Sequence, residues 1–164
     1  MSSDPADAGR ISDGSALAPS SSPVPAEGAA SPARPGSFLE LAASRREWIE
    51  QVLRPWCIQA PHRELKLAAL EWQDIAGKVD PDSTLWTWAW SRFPALVHEG
   101  MPGVNETAEV RVTFRDGTVL EGYPDAREST GGRLVLLARS EADPGTYALA
   151  EPKSIDEIAS AERI

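Results

Sequence analysis

Followed by the spacing of its apolar residues, the chain changes character twice, near residues 37 and 108. Before residue 37 the bulky apolar side chains are Met1, Ile11, Leu17 and Val24, too few and too scattered to define a face. From there on, Phe38, Leu41, Ile49, Val52 and Leu53 recur at helical intervals. Trp48 and Trp56 fall close to the same stripe, while Arg45, Arg46, Glu47 and Glu50 lie mostly off it. Ser37 and Glu40 have the S-x-x-E spacing of a capping box, so the helix should start there. Its expected end is near Arg54, because Pro55 disfavours helical geometry in the residue before it. A stripe carrying Trp in this way is expected to be core packing.

Residues 57–100 carry two competing periods. Pro61 can open a second helix over His62 to Ala69, yet Leu65, Leu67 and Ala69 also alternate as on a strand. Ile75 to Val79, with Gly77, looks extended, and Asp80-Pro81-Asp82-Ser83 is dense turn chemistry. Trp86, Trp88 and Trp90 then occupy alternate positions, which on a strand places all three on one face. We take this strand, with a hairpin through residues 80–83, as the expectation. The competitor is a helix with Asp80 as N-cap and Pro81 at N1, on which Trp86, Trp90, Phe93 and Val97 share one side. The run W-T-W-A-W, followed by a polar residue and F-P, resembles Trp-rich segments of bacterial protein families of unknown function and implies no activity. After Pro94 a short helical turn should end at Gly100, with a loop through Asn105.

The last third alternates most clearly. Val110, Val112 and Phe114 interleave with Arg111, Thr113 and Arg115, Asp116-Gly117 follows, and residues 118–123 form a second run, which is a strong hairpin signal. Gly122 inside the second run suggests a bend or bulge. Further strands are expected over Arg133 to Ala138, around Thr146 to Ala150, and over Ile155 to Ile164. Five short strands with a bent second one make a small barrel.

Over residues 108–164 this pattern resembles the Sm-like and SH3-like small β-barrels. The likeness rests on V-x-V-x-F-x-D-G, on Gly122, and on G-G-R-L-V-L-L. In RNA-binding Sm-like proteins an Asp and an Asn before the third strand clasp a base, and a later Arg-Gly completes the pocket. Asp125 can stand for the first, but Gly131 and Gly132 occupy the region of the Asn and the chain has no such Arg-Gly pair. The resemblance therefore implies a topology and does not carry RNA binding with it.

Charge and composition sharpen this picture. The 164 residues hold 16 Lys and Arg against 25 Asp and Glu, a net charge of −9, with two His and one Cys. Phosphate-neutralising binders need clustered Lys and Arg, and here Arg111, Arg115, Arg127, Arg133 and Arg139 are the only material for a basic face. In residues 1–37, Ser, Ala, Pro and Gly make up 27 positions, a composition that cannot offset its ordering entropy, so a disordered tail is expected. The start lacks a secretory signal pattern and no run is long enough to span a bilayer, which makes a cytoplasmic location the expectation.

Candidate chemistry is sparse. Cys57 precedes His62 by five residues, and with Glu64 or Asp74 they compose a thiol, imidazole and acid set. A lone Cys beside Trp56 and Ile58 is nevertheless better explained as a small buried hydrophobe. His98-Glu99 lacks the second His of a zinc helix. Asp80, Asp82 and Thr84 match the first ligands of a calcium loop without its later Gly and Glu. Gly131-Gly132 belongs to no phosphate-binding motif.

The sequence thus describes an α+β protein in three parts: a disordered tail over residues 1–37, a helical and Trp-rich region over 38–107, and a five-stranded small barrel over 108–164. The expected function is non-catalytic, a protein-interaction or assembly module acting on a protein partner or on itself, with no metal or cofactor and no membrane or nucleic-acid partner. The alternative is small-ligand or peptide binding in a pocket lined by Trp86, Trp88 and Trp90, and RNA binding by the barrel is the weakest of the three.

Overall fold

A computed structural model describes residues 36–164; most of the expected tail lies outside the described residues. The capping box forms as the spacing requires. Ser37 Oγ accepts from Glu40 N at 3.2 Å, and the Glu40 carboxylate accepts from Ser37 N at 2.9 Å. Helix α1 (Phe38–Trp48) follows, continues through a π-helical turn over Ile49–Leu53, and passes without a break into α2 (Arg54–Gln59). The expected stop near Arg54 is therefore overturned. Pro55 has no N–H, and in a regular helix its ring presses on the carbonyl four residues back. The widened turn just upstream, in which Arg54 N donates to Ile49 O, accommodates that ring inside the helix. The restriction imposed by a following proline takes effect one turn later, at Ala60 before Pro61, whose ψ of 144° ends the helix.

The regular elements of the middle region are all helical. It comprises α3 (His62–Leu70), α4 (Trp72–Ala76), a π turn over Asp82–Trp86 leading into α5 (Thr87–Trp90), and a 3-10 turn over Pro94–Leu96. The expected extended stretch at Ile75 instead finishes α4, which stops at Gly77 with φ 91°. The expected Trp strand is likewise overturned: the segment is helical, as its competitor has it, but only as far as Trp90, so Phe93 and Val97 lie beyond the helix. The Asp80 carboxylate accepts from Asp82 N and from Ser83 Oγ, Pro81 supplies helical φ, and the cap chemistry outweighs the β-propensity of the aromatics.

The sheet matches the sequence more closely. β1 (Val110–Phe114) and β2 (Val119–Pro124) pair antiparallel with Val110 opposite Gly122. In the turn between them Gly117 has φ 90° and Thr118 N donates to Asp116 Oδ1. This bond holds the Asp116 carboxyl below its ordinary range. Then come β3 (Arg133–Leu134), β4 (Leu136–Arg139), β5 (Tyr147–Leu149), β6 (Lys153–Ser154), a 3-10 turn over Ile155–Glu157, and β7 (Ile158–Arg163). The five-stranded order is β5-β4-β2-β1-β7, and β3 pairs with β6 in a separate two-stranded ladder. A Cβ at Gly122 would strike the Leu137 carbonyl and come within 2.7 Å of Ala138 Cα, so β2 and β4 cross where only glycine fits.

Val110, Val112 and Phe114 face inward from β1 and meet Leu53, Leu65, Trp72 and Trp90 from the helices in one continuous core. No helix among the described residues is long and apolar enough to cross a membrane.

Candidate functional site

The helical conformation separates the three tryptophans proposed for binding. Trp86 and Trp90, four residues apart, are both buried, and Trp88 is half-buried on another side. Trp86 packs 5.8 Å from the His62 ring, with Gly132 fitted against both. His62 shares a 2.7 Å hydrogen bond between Nε2 and the Gly131 carbonyl, and its backbone N–H donates to the Asp156 carboxylate at 3.0 Å. These contacts fasten α3 to the sheet. Gly131-Gly132 and Trp86 are thus parts of a joint, since a side chain at Gly132, where φ is 75°, would collide with Trp86 and His62.

Trp88 meets Trp72 edge-on at 5.9 Å, and Trp72 Nε1 donates to Thr84 Oγ1 at 2.8 Å. Its other side lines an open cleft of about 550 Å³ with Arg54, Thr87, Ser91, Met101 and Pro102. The hydroxyls there already have internal partners. Thr87 Oγ1 donates to Asp82 O and accepts from Gly103 N, and Ser91 Oγ donates to Trp88 O.

The nucleophile set does not assemble. Cys57 is fully buried, and burial raises its thiol pKa to about 11 against the opposing pull of the Arg92 charge. Arg92 donates to the carbonyls of Cys57, Ala60 and Ala89, which closes the C-terminal end of α2. Desolvation lowers its own pKa while Asp156 opposes the shift. His62 bonds to Gly131 O instead of to the thiol. Among the described residues no three His, Cys, Asp or Glu side chains are placed to hold a metal, and Asp80 is occupied as a helix cap. Asp125, the position of the Sm-like base clasp, accepts from Arg127 N and Glu128 N within its own turn. Of the arginines, Arg111 pairs with Glu121 and Glu162, Arg139 with Glu109, and Arg115 donates to Asp156 O.

The surface that stands out was assigned to the core by its sequence period. No residue of α1 is buried. Phe38 is 79 % exposed, Leu41 56 %, Trp48 42 %, Val52 51 % and Trp56 37 %. The π turn explains how these side chains stay together. In a regular α-helix residues four apart drift around the axis, but the widened turn slows that drift. Two parallel rows result: Ile49, Leu53 and Cys57 on the inside, packed in the core, and Trp48, Val52 and Trp56 on the outside. The sequence carries no signal that separates the two rows, because an apolar arc of this width is ordinary for a core-facing helix. Comparison with models of protein families, with curated proteins and with solved structures finds no match to this chain.

Proposed function

We propose that this chain is a non-catalytic protein-interaction module, and that its docking surface is the outer row of the helix over residues 38–59 in place of the Trp86–Trp90 segment. One observation carries this: an 11-residue helix without a buried side chain that holds Phe38 and Leu41 in solvent. The segment is held only as the extension of the helix whose later residues Leu53 and Cys57 sit in the core, and large apolar side chains on it gain free energy only when something covers them. The close crossing of β2 and β4 at Gly122 and the strand order support regarding the sheet as a small barrel of the Sm-like or SH3-like kind, sharing its core with the helices. A second reading, a peptide or small-ligand site, rests on Trp88 in its open cleft.

The test is a photo-crosslinking amino acid placed at position 41 or 52 in cells producing the chain, with position 141 on an exposed loop as control. Adducts with protein from 41 and 52 but not from 141 are expected. Absence of adducts at both helix positions would remove the proposal.

A further inference from the structure

We infer that the occupant of this face is a second copy of the same chain, the two helices over residues 38–59 packing on each other about a two-fold axis. The inference rests on the interaction reading above and adds the identity of the partner. Two observations support it. The first is area. Phe38, Leu41, Trp48, Val52 and Trp56 at these exposures present roughly 500 Å² of apolar surface, the size of the largest patch on an ordinary monomer. The exposed neighbours Ser44 and Gln51 extend it toward the ~800 Å² per partner of a standard interface.

The second is charge. The chain as a whole carries −9, so two copies repel wherever acidic surfaces meet. The helix departs from that balance: Glu40, Glu47 and Glu50 are matched by Arg45, Arg46 and Arg54, and Arg54 is already paired with Glu50 at 3.3 Å. A foreign partner selected by charge would be basic and would need an acidic face. The helix offers a neutral, aromatic one. A neutral face on an acidic molecule suits an isologous contact, in which the same patch serves both sides.

The experiment is sedimentation equilibrium on the full chain up to roughly 100 µM, at low and at physiological salt. The expected result is twice the chain mass of 17.7 kDa, with association strengthened by salt because screening weakens the repulsion between two acidic molecules and leaves the apolar contact intact. Phe38→Ser/Leu41→Ser/Val52→Ser should weaken association by about tenfold or more, with an unchanged near-ultraviolet circular dichroism spectrum. Leu70→Ser, at a leucine 84 % exposed on α3, should leave it unaltered. A wild-type chain that stays at 17.7 kDa under all these conditions overturns the inference, as does association that survives the triple substitution or weakens with added salt. A single-copy mass together with crosslinks from positions 41 and 52 to a different protein would sink the self-association alone and leave the interaction module standing.

Discussion

The molecule has two outward faces built from regular elements, and they are finished in opposite ways. On the sheet, two outward arginines are held by acids, Arg111 lying 2.7 Å from Glu121 and 3.0 Å from Glu162 and Arg139 reaching Glu109 with two donors, beside the exposed Leu137 and Leu149. On the helix over residues 38–59, the outward row is Trp48, Val52 and Trp56, continued by Leu41 and Phe38. Charged pairs on a surface add little stability but leave it content in water, whereas an apolar row of this length is satisfied only by contact. The proposed docking surface rests on this difference: the outer row of the helix is apolar along its length, whereas the exposed apolar side chains of the sheet are interspersed with paired arginines.

The sharpest way to break this comparison is to substitute neighbours on the two rows of the helix. Leu53→Ala should destabilise by about 2–5 kcal/mol, while Val52→Ala in dilute solution should stay within about 0.5 kcal/mol. Urea unfolding measures both, and equal effects would mean that the outer row is packed within the chain. Next in size is Gly122→Ala, which forces a methyl group into the β4 backbone and should lose about 1–3 kcal/mol in the same assay.

A smaller effect tests the inner row through pH. The folded thiol of Cys57 ionises near 11 against an ordinary 9.0, so between these values the unfolded chain loses a proton that the folded chain keeps. Stability should therefore fall as pH rises from about 9 to 11, and Cys57→Ala should flatten that slope. Iodoacetamide at neutral pH should label the thiol only on unfolding; rapid labelling of the folded chain would contradict its burial. Smallest of all should be Glu109→Gln, which removes the partner of an exposed arginine. Its shift in the urea midpoint should disappear at high salt, as screening already weakens that pair.

What could be anticipated from the sequence was local. Asp116-Gly117 specifies its hairpin with residues that touch each other, and Ser37 with Glu40 specifies the start of the helix in the same way. The sequence is ambiguous where two periods fit the same letters. Trp86, Trp88 and Trp90 suit either a strand or a helix, and the decision fell to the carboxylate of Asp80, four residues before Thr84. Pro55 reads as a stop in the sequence because its local restriction on Arg54 is visible there, whereas the π turn that accommodates its ring is a backbone feature. The candidate site was least legible. Periodicity states which side chains share a side of a helix and is silent on what covers them, so Trp48, Val52 and Trp56 were indistinguishable from core.

The π turn also separates two quantities that a regular helix ties together, aim and anchorage. In an α-helix one residue corresponds to about 100° of rotation and 1.5 Å of advance. Removing one residue from Ile49–Leu53, so that the turn closes to α-helical width, would swing everything before it through about that angle while α2 keeps its packing against α5. The five residues Ile49–Leu53 therefore act as a dial: they set the compass direction in which Phe38 and Leu41 point relative to α2.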